Sequence, residues 1–230
     1  MNILILNTSE LTGGAAVAAN RLAKALGKSG VEVSMLVRDR KTGDERVTAL
    51  NDSFWASRWN FIRFVWERLI IFICNHFRRK PLFQVSIANT GTDLSDHPLV
   101  KAADVIHLHW INQGFLSLAD IRKLALIGKP IVWTMHDMWP CTAICHYSFG
   151  CERFKKECGE CPFLSSSDKK DLSYHVFNKK RFLADSKIQL VAVSTWLRQQ
   201  AQDSALTNRL PVEVIPNVID TSLFVLPMKP

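Results

Sequence analysis

The chain has 230 residues, 47% of them hydrophobic and 22% charged, enough for a full core in one large or two small domains. No window reaches the roughly 18 uninterrupted apolar residues of a membrane-spanning helix, and the N-terminal MNILILNTSE has no basic segment ahead of a long apolar run, so no secretory signal is read. The formal net charge of +8 calls for an anionic partner, and much of the excess lies in one segment: Arg58, Arg63, Arg68, Arg78, Arg79 and Lys80 stand there against Glu67.

Residues 2–6 (NILIL) suit a short buried parallel strand. A Thr12-Gly13-Gly14 turn follows, then an Ala-rich helix over 15–29 that Gly30 closes, then a second strand over 31–37. Strand, glycine turn, helix and strand open a doubly wound fold. Residues 38–53 are mostly loop, with a short strand at 47–50. The aromatic, basic stretch 54–80 lacks Gly and Pro and is expected to be helical. Strands are expected at 83–87 and 104–110. Ser117 and Asp120 form a capping box for a helix to about Ile127. A strand at 131–135 leads into the cysteine-rich loop. Helix at 168–185, strand at 188–193, helix at 195–202 and strand at 212–215 complete an α/β, Rossmann-like, mostly parallel sheet.

Four groups of residues invite chemistry. Gly13 and Gly14 let backbone approach a ligand, and the helix start behind them offers free N–H groups to an anion, although the dinucleotide fingerprint G-x-G-x-x-G is missing; a packing turn explains the glycines equally well. Alternation puts His107 and His109 on one strand face, with His109 nearer the ligand-binding end. His136 and Asp137 follow the strand at 131–135, where open parallel sheets bind ligands; a histidine there can exchange a proton near neutral pH or donate to an anionic oxygen. A structural hydrogen bond is the alternative.

The cysteines Cys145, Cys151, Cys158 and Cys161 are spaced C-x5-C-x6-C-x2-C. Structural zinc, disulfides and free thiols are the three readings. In the reducing cytosol expected for this chain, zinc is preferred as the pin of a long polar loop. Segment 54–80, with Trp55, Trp59 and Trp66 beside arginines, suits the headgroup boundary of an anionic membrane.

Taken together, GGAAVAANRLAKAL, ADVIHLHWIN, TMHDMWPCTAICHYSFGCERFKKECGECP, VAVSTWL and IPNVIDTSLF resemble the N-terminal half of glycosyltransferase family 4 enzymes, closest to bacterial exopolysaccharide and capsule-type transferases with a cysteine-rich loop. The resemblance implies the acceptor-side half of a GT-B fold over 1–215 and an interdomain linker over 216–230, with the donor-binding domain and its E-x7-E motif not contained in these residues. It implies a retaining transferase, of hexosyltransferase type when complete and inactive as this chain alone. The sugar would pass from a nucleotide-sugar donor to a saccharide or lipid-linked acceptor, without a catalytic metal. His136 would sit at the reacting sugar with Asp137 beside it. Gly13, Gly14 and His109 would lie toward donor or acceptor, and Asn217 near the hinge, where Val218 replaces the commoner glycine. The expected setting is cytoplasmic, peripheral on the inner membrane face, with no nucleic-acid partner. Two other classes compete: a dinucleotide-binding oxidoreductase and a basic zinc-knuckle nucleic-acid binder.

Overall fold

A computed structural model of the chain describes residues 1–79, 82–166, 168–219 and 221. Lys80 and, in the expected linker, residues 220 and 222–230 lie outside the described residues. The strands are β1 (Asn2–Ser9), β2 (Glu32–Asp39), β3 (Val47–Ala49), β4 (Val105–Leu108), β5 (Ile131–Met135), β6 (Ile188–Ala192) and β7 (Val212–Val214). They form one sheet in the order β3-β2-β1-β4-β5-β6-β7, and every neighbouring pair is parallel. The helices are α1 (Gly14–Lys28), α2 (Phe54–Cys74), α3 (Pro98–Ala102), α4 (Leu118–Leu126), α5 (Leu172–Lys180) and α6 (Thr195–Asp203). The winding reverses between β1 and β4, which makes that junction the topological switch point.

The period-2 alternation of a strand sorts the core into two faces. In β1, Leu4 and Leu6 join the larger cluster with Ile106, Leu108 and Trp133, while Ile3 and Ile5 pack with Val33, Met35, Ala19 and Ala23 beneath α1. Because both faces of β1 are covered, its sequence is continuously apolar rather than alternating. Burying side chains such as Leu4 and Leu6 contributes about 1.5–3 kcal/mol each.

Three expectations change. Residues 83–87 do not enter the sheet; Val85 makes one antiparallel bridge to Cys145. The backbone N–H groups of Ile87 and Ala88 donate instead to Glu67 Oε1 of α2, at 2.8 and 2.9 Å, so the segment is committed to a helix side chain. The helix expected over 54–80 ends at Cys74, because His76 and Phe77 take left-handed backbone conformations. The expected helix at 168–185 begins only at Leu172, where Asp171 caps it through Tyr174 N, and tightens to a 3-10 turn over Arg181–Asp185.

Candidate functional site

A cavity of about 570 Å³ lies at the switch point, beyond the C-terminal ends of β1, β2, β4 and β5. Gly13, Gly14, His136 and Asp137 all line it. Gly13 has φ of 93°, a conformation that strains any residue with a Cβ. A Cβ at Gly14 would meet nothing within 4 Å, so that glycine keeps the wall open rather than relieving a clash. No side chain caps α1 and its first turn carries no acid, which leaves the N–H groups of Gly14, Ala15 and Ala16 at the cavity wall with the positive end of the helix dipole.

Two cations that the sequence did not single out also line the cavity. Arg38 is committed: it pairs with Asp39 at 2.8 Å and donates to the Gln113 carbonyl. Lys41 is exposed and in no ion pair among the described residues. Its loop is held by the fully buried Glu10, whose Oε2 accepts from Lys41 N at 2.6 Å and Thr42 N at 2.9 Å.

His136 sits over a buried stack of imidazoles. Its Nε2 is 2.9 Å from His109 Nδ1, and the His107 and His109 rings lie 4.4 Å apart, as the alternation along β4 requires. His107 Nε2 is bonded to Thr134 Oγ1 at 2.8 Å. Burial lowers the pKa of His136 to about 4, against the opposing charge of Asp137. Burial and then His136 lower His107 to about 4, and burial followed by its two neighbours takes His109 well below its ordinary value. The three rings are therefore neutral at pH 7, and proton exchange near neutrality is not what the site favours.

Which ring donates follows from one orphaned atom. His109 Nε2 is buried without a partner. If His136 donated, His109 would carry its proton on that orphaned nitrogen. If His109 Nδ1 donates, the orphan is only a lone pair, the less costly case. His136 then holds its proton on Nδ1, which has no partner among the described residues, and becomes a neutral hydrogen-bond donor to an oxygen in the cavity.

Asp137 has a different role from a free base. Its Oδ2 accepts from His146 Nδ1 at 2.7 Å and Trp110 Nε1 at 3.0 Å, and its Oδ1 from Trp139 N at 2.9 Å. Burial alone would raise its pKa; these donors outweigh it and hold the carboxyl below its ordinary value. Asp137 thus ties β4 to the turn after β5. His146 reaches back to Ser86 Oγ at 3.0 Å. Neither His146 nor Trp110 was legible in sequence, because both bond across large separations.

Beneath the same turn lies Lys180, wholly buried. Its Nζ donates to the carbonyls of Trp139 and Thr142, at 2.5 and 3.0 Å, and lies 3.3 Å from the centre of the Trp139 ring. Burial lowers its pKa to about 7.

The other expected residues fall elsewhere. His109 lies below the cavity, not on its wall, and Asn217 lines a separate groove of about 230 Å³ with His107 and His109 on the α1 side of the sheet. Cys145, Cys151, Cys158 and Cys161 share one small cavity of about 20 Å³, and none forms a disulfide. Burial pushes the thiols of Cys158 and Cys161 up to about 12, and neighbouring cysteines add to the rise. Among the described residues no three His, Cys, Asp or Glu side chains stand as a ready metal-ligand set. The loop is also less polar in its packing than its composition implied: Ala143, Ile144, Phe154 and Leu164 are in the main core, and Asp171 Oδ2 accepts from Cys161 N at 2.7 Å.

Comparison with known proteins fits this geometry. A match of 33% identity over 70 residues, 30% of this chain and 17% of the relative, links it to an Escherichia coli (strain K12) protein described as "Putative colanic acid biosynthesis glycosyl transferase WcaC". The chain thus aligns with less than a fifth of that relative's length. The family model described as Glycosyltransferase Family 4 matches residues 12–223, nearly the whole chain, from the glycine turn to past the last strand. The chain belongs to glycosyltransferase family 4 and has the α/β, Rossmann-like architecture described above.

Proposed function

We propose that these residues form the acceptor-side wall of a retaining glycosyltransferase, which moves a sugar from a nucleotide-sugar donor to a saccharide or lipid-linked acceptor in surface polysaccharide synthesis. The observation that carries the reading is the single cavity at the switch point. There the open N-terminus of α1, Lys41 and a neutral, donating His136 converge. Helix N–H groups and a lysine suit phosphate oxygens. A fixed donor such as His136 suits an oxygen on which charge develops, because it needs no reorganisation when the bond breaks.

The described residues bring no unpaired carboxylate to this cavity. Asp39 is bound by Arg38 and Asn51, and Asp137 by three donors. Transfer therefore draws on groups from a facing domain, and the 230-residue chain alone should bind better than it turns over. The test is calorimetric titration of the chain with UDP- and GDP-sugars, alongside His136→Ala in the active enzyme. We expect turnover to fall about 10²–10³-fold with the melting temperature nearly unchanged. Normal turnover in His136→Ala would return the residue to a structural role, and robust transfer by residues 1–230 alone would remove the need for a facing domain.

For the cysteine loop, donor chemistry supports a structural zinc. Four thiols line one cavity too small for an organic ligand; they do not yet stand as a ligand set, and a cation drawing them together would offset the burial and, after it, the mutual repulsion that oppose their ionisation. Such a metal would hold the loop and take no part in transfer. Elemental analysis of protein purified under reducing conditions should find about one zinc per chain, lost in Cys158→Ser. Metal-free protein with four free thiols overturns it and leaves packing as the loop's only support.

A further inference from the structure

Helix α2 is built with its polar residues inside. Asn60, Glu67 and Arg68 are buried, Glu67 at 0% exposure. Their bonds are made to the body of the protein: Glu67 to the N–H groups of Ile87 and Ala88, Arg68 to Glu67 and to the carbonyl of Val85, and Asn60 to Asn51. The opposite face carries Trp55, Trp59, Ile62, Trp66, Leu69 and Ile73, at successive spacings of four and three residues. That is one continuous stripe along a helix roughly 30 Å long. Trp55 is 79% exposed, Trp59 57% and Trp66 52%, and among the described residues nothing covers them. An apolar face of this extent on a folded protein marks an interaction site.

Three observations say what it meets. Between Phe54 and Arg79 the exposed formal charges are Arg58, Arg78 and Arg79, and the one acid, Glu67, is buried. No helix of the described residues is long and apolar enough to cross a membrane, so the stripe would lie along a surface rather than span it. A second copy of the chain fits poorly: each copy would bring exposed arginines and no exposed acid to the contact, and like charges at a contact cost affinity. The N-terminal half of α2 also borders a groove of about 280 Å³ that shares Arg38, Asp39 and Gln113 with the main cavity.

We infer that the outward face of α2 is a docking surface for an acidic lipid bilayer, with its indoles and aliphatic side chains at the headgroup boundary and its arginines on the anionic headgroups. The groove then opens the main cavity toward the membrane, where a lipid-carried acceptor would be held. This last step rests on the transferase reading above; the surface itself does not.

The test is co-sedimentation of the chain with phosphatidylcholine vesicles, with and without phosphatidylglycerol, at low and high salt. Binding should need the acidic lipid and weaken with salt. Replacing Arg58, Arg78 and Arg79 together with Gln should weaken it about 100-fold, at about 1 kcal/mol per basic residue. Trp55→Ser combined with Trp66→Ser should sharply reduce quenching of tryptophan fluorescence by brominated lipid, with Trp59→Ser added removing the rest, while thermal unfolding shows the variants still folded. Absence of binding to acidic vesicles overturns the inference, as does binding that both sets of variants leave unchanged. A dimer in solution that Trp55→Ser and Trp66→Ser disperse, without vesicle binding, assigns the face to a second copy instead. None of these readouts involves sugar transfer, so failure here leaves the transferase reading standing, and vesicle binding together with unchanged turnover of His136→Ala in the active enzyme does the reverse.

Discussion

Helices α1 and α2 belong to the same sheet yet face it in opposite senses. In α1 the buried face is small and nearly apolar, with Ala16, Ala18, Ala19 and Ala23 against Ile3, Ile5 and Met35. Small residues let the helix pack close to β1 and β2, and its uncapped start is left at the cavity. In α2 three of the four buried side chains, Asn60, Glu67 and Arg68 beside Ile71, are polar, and the opposite, exposed face is largely apolar. The polar face is tolerated because each side chain meets a partner, although Arg68 Nε itself is left without one: an unpaired buried carboxylate or guanidinium costs several kcal/mol, whereas a bonded one is close to neutral. Exposed apolar area alone therefore does not say which side of a helix faces the core. The position of the partners does.

The comparison can be broken most sharply at Glu67. Glu67→Ala leaves Arg68 charged and buried beside the unbonded N–H groups of Ile87 and Ala88, and should cost about 3–5 kcal/mol in a denaturant titration. Trp66→Ser, one residue away and half exposed, should change stability by no more than about 0.5 kcal/mol. Equal losses from the two variants would mean that the face assignment is wrong.

A smaller effect should follow pH. His107 and His136 are neutral down to about pH 4 in the folded chain, while in the unfolded chain they protonate near 6.5. Between those values the unfolded state binds more protons, so stability rises with pH. It should be complete above about pH 6.5 and decline as pH falls toward 4, by on the order of 1–3 kcal/mol. Chemical denaturation across this window checks it. His107→Phe should flatten the profile if the buried imidazoles cause the slope, and an unchanged slope would place the cause elsewhere.

The smallest effect sharpens the role of α1. Gly13→Ala must accommodate φ of 93°, at a cost of about 1–2 kcal/mol, and should weaken nucleotide-sugar binding more than it lowers stability. Gly14→Ala meets no backbone strain and no atom within 4 Å, so it should fold normally and affect binding alone. If both variants bind as the parent does, the glycine turn serves packing only.

Most of the fold was legible in the chain because its signals are local. The apolar runs of β1 and β5 are too short for helices, Gly30 closes α1, and Ser117 with Asp120 forms the capping box expected, both bonds present. That Gly13, Gly14 and His136 would share one cavity was legible for the same reason: they follow strands, and strand ends in a parallel sheet share one edge. The segment 83–87 misled, since it reads as a strand while the N–H of Ser86 goes to the Ile144 carbonyl and that of Ile87 to a carboxylate twenty residues earlier.

By itself the sequence determined the order of elements, the glycine turn, the shared face of His107 and His109, and a family likeness carried by motif order. The tertiary structure alone decided what the polar atoms do. It showed Asp137 occupied by three donors, two of them side chains from outside its own turn, left His109 Nε2 without a partner and so made His136 the donor, and put Asn60, Glu67 and Arg68 of α2 inside and its indoles outside. The physical reason is range. Backbone propensity and apolar periodicity act over a few residues and are written where they act. A buried polar group is settled by whichever donor or acceptor the fold brings within about 3 Å, and for Trp110 and Asp137, or Arg68 and Val85, that partner is far away in the chain.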